Sequence, residues 1–165
     1  MRVTVVRGDL TTQDVDAVVN AANREMRGGS GVDGAIHRAG GPSVLEDCSR
    51  RFPHGLATGE AGWTTAGAMP ARCVIHVVGP DRHVGETARS LLTSCYANAL
   101  RVADEVGART VAFPLVGAGV YGWSKQESVA CALEAFRAAD TSVTEARIVV
   151  LDPASYDVVA VAVAG

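Results

Sequence analysis

The chain has 165 residues, 48% of them hydrophobic and 20% charged, which excludes a disordered or low-complexity protein and suits one domain. Its 15 basic and 18 acidic residues leave a net charge of −3, excluding a general nucleic-acid binder with a basic face. Met1–Arg7 is too short and interrupted for a signal peptide, and the longest apolar run, Val158–Gly165, is far short of the about 18–20 residues a membrane span takes. A soluble, cytoplasmic protein with no membrane partner is expected.

Short β-rich runs alternate with helical ones. Arg2–Arg7 is rich in Val and ends at Gly8-Asp9-Leu10. Ala17-Val18-Val19 is a second apolar run, ending at Asn20-Ala21-Ala22-Asn23. The loop Gly28-Gly29-Ser30-Gly31 precedes a helix over Gly34–Ala39, and Ser43–Arg51 reads as another. Ala61–Thr65 and Cys73–Val78 read as strands, the latter ending at Gly79-Pro80. The clearest helix is Glu86–Val106, where Leu91, Leu92, Cys95, Tyr96, Ala99, Leu100 and Ala103 keep the i, i+3, i+4 spacing and Gly107 is placed to end it. Thr110–Phe113 leads into Gly117-Ala118-Gly119-Val120-Tyr121-Gly122, then a helix over Ser124–Ala138. Arg147–Leu151 is the last strand, ending at Asp152-Pro153. This order predicts an α/β sandwich with a largely parallel sheet, in which ligands bind at the carboxyl ends of the strands.

Cys48, Cys73, Cys95 and Cys131 form no CxxC pair and have no His at metal-ligand spacing, so buried reduced thiols are expected and no metal is called for. His37, His54, His76 and His83 form no triad spacing, and His76 reads as a satisfied core histidine.

Two glycine loops carry the functional argument. Each lets backbone amides approach a ligand and then opens a helix, whose N-terminus favours an anion. Two such loops on one rim suggest a diphosphate held between them. No GxxxxGK[ST] motif is present, which disfavours a Walker-type NTPase. Gly117, Gly119 and Gly122 fit GxGxxG, with Asp152 at the next strand end, so an NAD-using oxidoreductase is a competing reading. Too little chain follows Asp152 to complete such a domain. Asp9 reads as an adenine amino acceptor or a turn cap, and Asn20 and Asn23 as sugar-hydroxyl ligands or turn residues. Tyr121 reads as a ribose-packing ring or a packing aromatic. Asp33 reads as charge complementarity at a helix start or as a carboxylate able to orient or activate water.

Taken in order, Gly8-Asp9-Leu10, the Asn20-Ala21-Ala22-Asn23 run, Gly28 through His37, Val74 through Pro80, and Gly117 through Gly122 resemble the macrodomain family in its MacroD-like branch, over nearly the whole chain. The resemblance implies a three-layer α/β/α ADP-ribose-binding domain with a mixed, largely parallel sheet. It implies that Asp9, with Leu10 beside it, bonds the adenine amino group, and that Asp152 lies at the same end. It places Ser30, Gly31 and Val32, with Gly117, Ala118, Gly119, Val120 and Tyr121, around the diphosphate. Asn23 would hold the distal ribose, with Tyr121 packed on it, and Asp33 would act in hydrolysis with Asn23; Asn20, on the same expected rim, is read beside them as a ligand-binding residue. Gly117-Ala118 stand where the family often has Ser-Thr, so no hydroxyl contact is expected there. Leu151 and Tyr156 flank Asp152 where many members carry an adenine-packing aromatic. The glycine-triplet and Gln-Glu-Glu signature of poly(ADP-ribose) glycohydrolases is absent.

The expected function is hydrolysis of the ester that joins mono-ADP-ribose to acidic protein side chains, with deacetylation of O-acetyl-ADP-ribose as a second activity. Asp33 then activates the water, or orients it while a substrate phosphate activates it. The alternative is a reader module that binds ADP-ribose without turnover. The expected partners are ADP-ribose and mono-ADP-ribosylated proteins, with no nucleic acid, no metal and no cofactor.

Overall fold

The most apolar strand runs take interior places in the sheet. A computed structural model describes residues 1–165. In it β1 is Arg2–Arg7, β2 Ala17–Ala22, β3 Ala61–Thr65, β4 Cys73–Val78, β5 Thr110–Phe113 and β6 Glu145–Val150. β4 is buried at every position and β2 at all but one, as expected of strands covered on both faces. The order across the sheet is β1-β6-β5-β2-β4-β3. Edge strand β3 runs antiparallel to β4, and every other pair is parallel.

The helices are α1 (Gly31–Gly40), α2 (Pro42–Arg51), α3 (Arg89–Glu105), α4 (Lys125–Ala138) and α5 (Pro153–Ala164). Alternation along the strands divides the core between two faces. Ala17, Val19, Ile75, Val77 and Phe113 pack with Leu92 and Tyr96 of α3, Phe136 of α4 and Val159 of α5. The opposite face sends Val18, Val74 and Val149 to Ile36 of α1, and Ala22 and Val78 to Val44 and Cys48 of α2. The result is the expected three-layer α/β/α sandwich with a mixed, largely parallel sheet. All four cysteines are free and buried, as their spacing predicts. No helix is long and apolar enough to cross a membrane.

Several boundaries differ from the sequence reading. α1 begins at Gly31 rather than Gly34, because the last glycine of the loop already takes the first helical position. α3 starts at Arg89 rather than Glu86. The Glu86 carboxylate instead accepts from the Thr58 hydroxyl at 2.6 Å and the Asp81 amide at 3.0 Å, tying down the preceding turn. β2 runs on to Ala22, and β6 lies two residues earlier at its start than expected. The final apolar run is helix α5, started by Asp152 as cap and Pro153 in its first turn. Because the inner strands are parallel, Asp9, Asn23, Gly79, Asp152 and the loop after Phe113 all leave the sheet on one rim.

Candidate functional site

The first wall is built by the turn after β2. Asn23 Oδ1 accepts from the Met26 amide at 3.2 Å, and its Nδ2 donates to the Gly28 carbonyl at 3.1 Å. α1 then starts against this turn. A Cβ on Gly34 would stand 2.6 Å from the Gly29 carbonyl oxygen, so only glycine lets the helix press so close. Ser30 occupies the cap position without a side-chain hydrogen bond, and the first-turn amides have no intrahelical partner.

The second wall is the loop after β5. Buried Tyr96 of α3 holds it: its Oη accepts from the Val116 amide at 2.9 Å and lies 2.7 Å from Ser128 Oγ, which donates to the Val116 carbonyl at 2.6 Å. Trp123 Nε1 donates to the Pro80 carbonyl at 2.9 Å, fastening the loop to the end of β4. The amides of Val120 and Tyr121 make no backbone hydrogen bond. The helix after this loop departs from expectation. The amino end of α4 is capped by its own Ser124, whose Oγ accepts from the Glu127 amide at 3.0 Å. The second loop therefore offers its own amides and not a helix terminus. Tyr96→Phe strands the Val116 amide, and we expect a loss of about 1–3 kcal/mol, read as a lower urea midpoint with an unchanged m-value.

The two walls enclose one cleft. Asn23, Gly29, Ser30, Gly31, Val32 and Asp33 line one side and Leu115, Gly117, Ala118, Val120 and Tyr121 the other, with Ala21 and Ala22 completing it. Tyr121 is half-buried, and burial, then the negative charge of Asp81 and Glu25, push its hydroxyl pKa above the usual value. It faces the cleft as a neutral phenol.

Asp33, from the first turn of α1, is 4% exposed. Its Oδ1 accepts from Asn20 Nδ2 at 2.8 Å and lies 3.4 Å from His37 Nε2, one helical turn on. Its Oδ2 is buried without a partner. A Cβ on Gly29 would stand 3.1 Å from that oxygen and 3.4 Å from Asn23 Nδ2, so the bare backbone of Gly29 leaves open the space between the two side chains.

Not every expected residue lines the cleft. Asn20 is corrected: as the fourth residue of β2 it is 0% exposed, and its amide is spent on Asp33 and His76. It lies behind the site and cannot touch a ribose. Gly119 sits at the exposed tip of the second loop, its amide turned back to the Trp123 carbonyl at 3.4 Å. Asp9 Oδ1 caps a 3-10 turn through the Thr11 amide at 2.8 Å and hydroxyl at 2.7 Å, and Leu10 is core. Asp152 caps α5, both its oxygens taken by Ser155 at 3.1 and 2.6 Å. Asp9 and Asp152 nevertheless share the rim, since β1 and β6 are neighbours.

His37 was not singled out in the sequence, although its position four residues after Asp33 puts both on one helix face. His76 is buried as expected, and burial, with some repulsion from His37, lowers its pKa from 6.5 to about 3. A histidine kept neutral in the fold but free to protonate when unfolded favours the unfolded chain as pH falls. This contribution to stability is complete above pH 6.5 and is lost progressively towards pH 3. We expect urea stability to fall by up to about 1 kcal/mol per pH unit from this group, with a shallower fall in His76→Gln.

Comparison with known proteins identifies the family. A family model described as Macro domain matches residues 19–132. A macro domain-containing protein of Streptomyces coelicolor is 52% identical over 159 residues, covering 94% of each chain. A protein of Enterobacter cloacae named O-acetyl-ADP-ribose deacetylase is 46% identical over 136 residues, 81% of this chain and 76% of its own. Among solved structures, a variant of the Oceanobacillus iheyensis macrodomain with ADPR superposes with a TM-score of 0.89 at 34% identity, covering 94% of this chain and 88% of that one. The Trypanosoma brucei macrodomain in complex with ADP-ribose gives 0.88 at 35% identity, covering 98% and 69%. The matched region takes in both glycine loops and Asp33, and the chain belongs to the macro domain family.

Proposed function

We propose that this protein binds ADP-ribose in the cleft between its two glycine loops and hydrolyses acyl esters of the distal ribose. The observation that carries the reading is Asp33 Oδ2, a buried carboxylate oxygen with no partner of its own, lining a cleft whose walls present unpaired amides. The first-turn amides of α1 and those of Val120 and Tyr121 hold the diphosphate. The adenine end runs along the rim towards Asp9, Leu10 and Asp152. Asn23 and Tyr121 take the distal ribose, next to Asp33.

In this reading Asp33 accepts a hydrogen bond from a water aimed at the acyl carbon. The water oxygen bonds to that carbon, the bond to the ribose oxygen breaks, one water proton passes to the ribose oxygen, and the other is released to solvent as the new carboxylic acid ionises. The products are a carboxylate and ADP-ribose. His37 and Asn20 hold the other oxygen of Asp33 and so fix the direction of the first.

The substrate class is mono-ADP-ribose linked to acidic protein side chains, together with O-acetyl-ADP-ribose, and the site of action is the cytoplasm. Relatives at 46% identity carrying the deacetylase name support ester hydrolysis. The test is release of ADP-ribose from proteins modified through Glu, Asp, Ser and Arg, and of acetate from O-acetyl-ADP-ribose. Turnover of the acyl-linked substrates and not of the Arg-linked one is expected. Tight binding without any release would instead make the protein a reader of the modification.

A further inference from the structure

The side chains behind Asp33 form a row that crosses the sheet. Parallel pairing sets Asn20 of β2 beside His76 of β4, and the antiparallel β3 brings Thr64 to the far side of that histidine. Asn20 and Thr64 are 0% exposed and His76 1%. Asn20 Nδ2 lies 2.8 Å from Asp33 Oδ1 and 3.1 Å from His76 Nδ1. His76 Nε2 lies 2.8 Å from Thr64 Oγ1, which lies 3.0 Å from the Thr65 carbonyl.

Only one set of donors satisfies this row. The Thr65 carbonyl can only accept, so the Thr64 hydroxyl gives its proton there. Thr64 Oγ1 then accepts from His76, which puts the ring proton on Nε2. The ring is neutral, so Nδ1 carries a lone pair and accepts from Asn20. Cys48 Sγ, 3.7 Å from Nε2, is a second neighbour of the same ring nitrogen. Both hydrogens of the Asn20 amide are now assigned, one to His76 and one to Asp33. A flipped amide would set its carbonyl against both the lone pair and the carboxylate. The arrangement leaves Asn20 Oδ1 buried without a partner, a cost the chain bears to keep Nδ2 directed at Asp33.

We infer that Thr64 and His76 are positioning residues: by locking the histidine tautomer they fix the Asn20 amide, and through it the direction in which the Asp33 carboxylate faces the cleft. The inference rests on the role given to Asp33 above. Neither residue touches the cleft, so their effect falls on turnover and not on affinity.

The test compares wild type with Thr64→Val, which removes the hydroxyl at nearly constant shape, and Thr64→Ser, which keeps it. Three readouts are taken: the His76 tautomer by long-range 15N–1H correlation at neutral pH, the ADP-ribose Kd by calorimetry, and steady-state ester hydrolysis. Wild type is expected to hold His76 solely as the Nε2–H form. Thr64→Val is expected to lose that single form and to lower kcat about 10- to 100-fold, as for a displaced reacting group, with Kd within about twofold. Thr64→Ser is expected to restore both tautomer and kcat. A protonated Nδ1 in wild type overturns the inference, as does a Thr64→Val protein with unchanged kcat, or one that loses kcat and ADP-ribose affinity in parallel. The tautomer is read in the resting protein, so it decides the lock even if no ester is turned over, an outcome that would count against the hydrolase reading alone.

Discussion

Asp33→Ala is expected to lower hydrolysis of acyl-linked ADP-ribose by about 10²- to 10⁴-fold, the range for loss of a positioned acid–base group. Binding of ADP-ribose should stay within a few-fold of wild type. The separation follows from the site. In the proposed binding mode the backbone amides of the two loops hold the diphosphate, and the substitution leaves them in place, whereas the unpaired Oδ2 is the cleft's buried carboxylate oxygen. Removing the carboxylate also frees the Asn20 amide and His37, so some loss of local order is expected with the loss of rate. Single-turnover release from a glutamate-modified protein, read beside a calorimetric Kd, checks both halves. A variant as active as wild type would remove Asp33 from the chemistry.

Gly29→Val should act in the opposite way, on binding first. A Cβ there already meets Asp33 Oδ2 at 3.1 Å and Asn23 Nδ2 at 3.4 Å, and the two further methyls of Val would fill the space assigned to the distal ribose. Gly29 is exposed and outside the left-handed region of backbone space, so the substitution carries no conformational strain of its own. ADP-ribose affinity is expected to fall at least about tenfold, or 1.4 kcal/mol, with the melting temperature little changed. Full affinity in this variant would place the ribose elsewhere.

The sequence exposed the parts of this site that lie next to each other in the chain. Gly28 to Gly31 and Gly117 to Gly122 stand out because a run of glycines is a compositional mark in itself, and Asp33 follows closely on the first. What it concealed was the support across the sheet. Asn20 looked like a rim residue because it sits between apolar residues and a turn. Strand period and the length of β2 bury it, and only the register with β4 shows that its neighbour is His76. Thr64 lies 31 residues from Asp33 in the chain and nothing local marks it. Tyr96 reads only as part of the apolar face of a helix, and its hydroxyl meets the second loop through the packing of α3; the tie from Trp123 to the Pro80 carbonyl joins residues 43 apart in the chain. The last helix, α5, is masked by its composition: Val158 to Ala164 is an apolar mixture of Val and Ala, and Asp152-Pro153 serves equally as a strand end and as a helix start.

In the proposed binding mode two separate loops grip one diphosphate. The measurement that tests it most directly is a 15N–1H titration of the uniformly labelled protein with ADP-ribose, following the amides of Gly31, Val32, Val120 and Tyr121. These four signals are predicted to shift together and saturate at one equivalent, with the groove between α3 and α4 around Thr93, Arg101 and Glu134 unmoved. Shifts confined to one loop, or centred on that groove, would contradict the account.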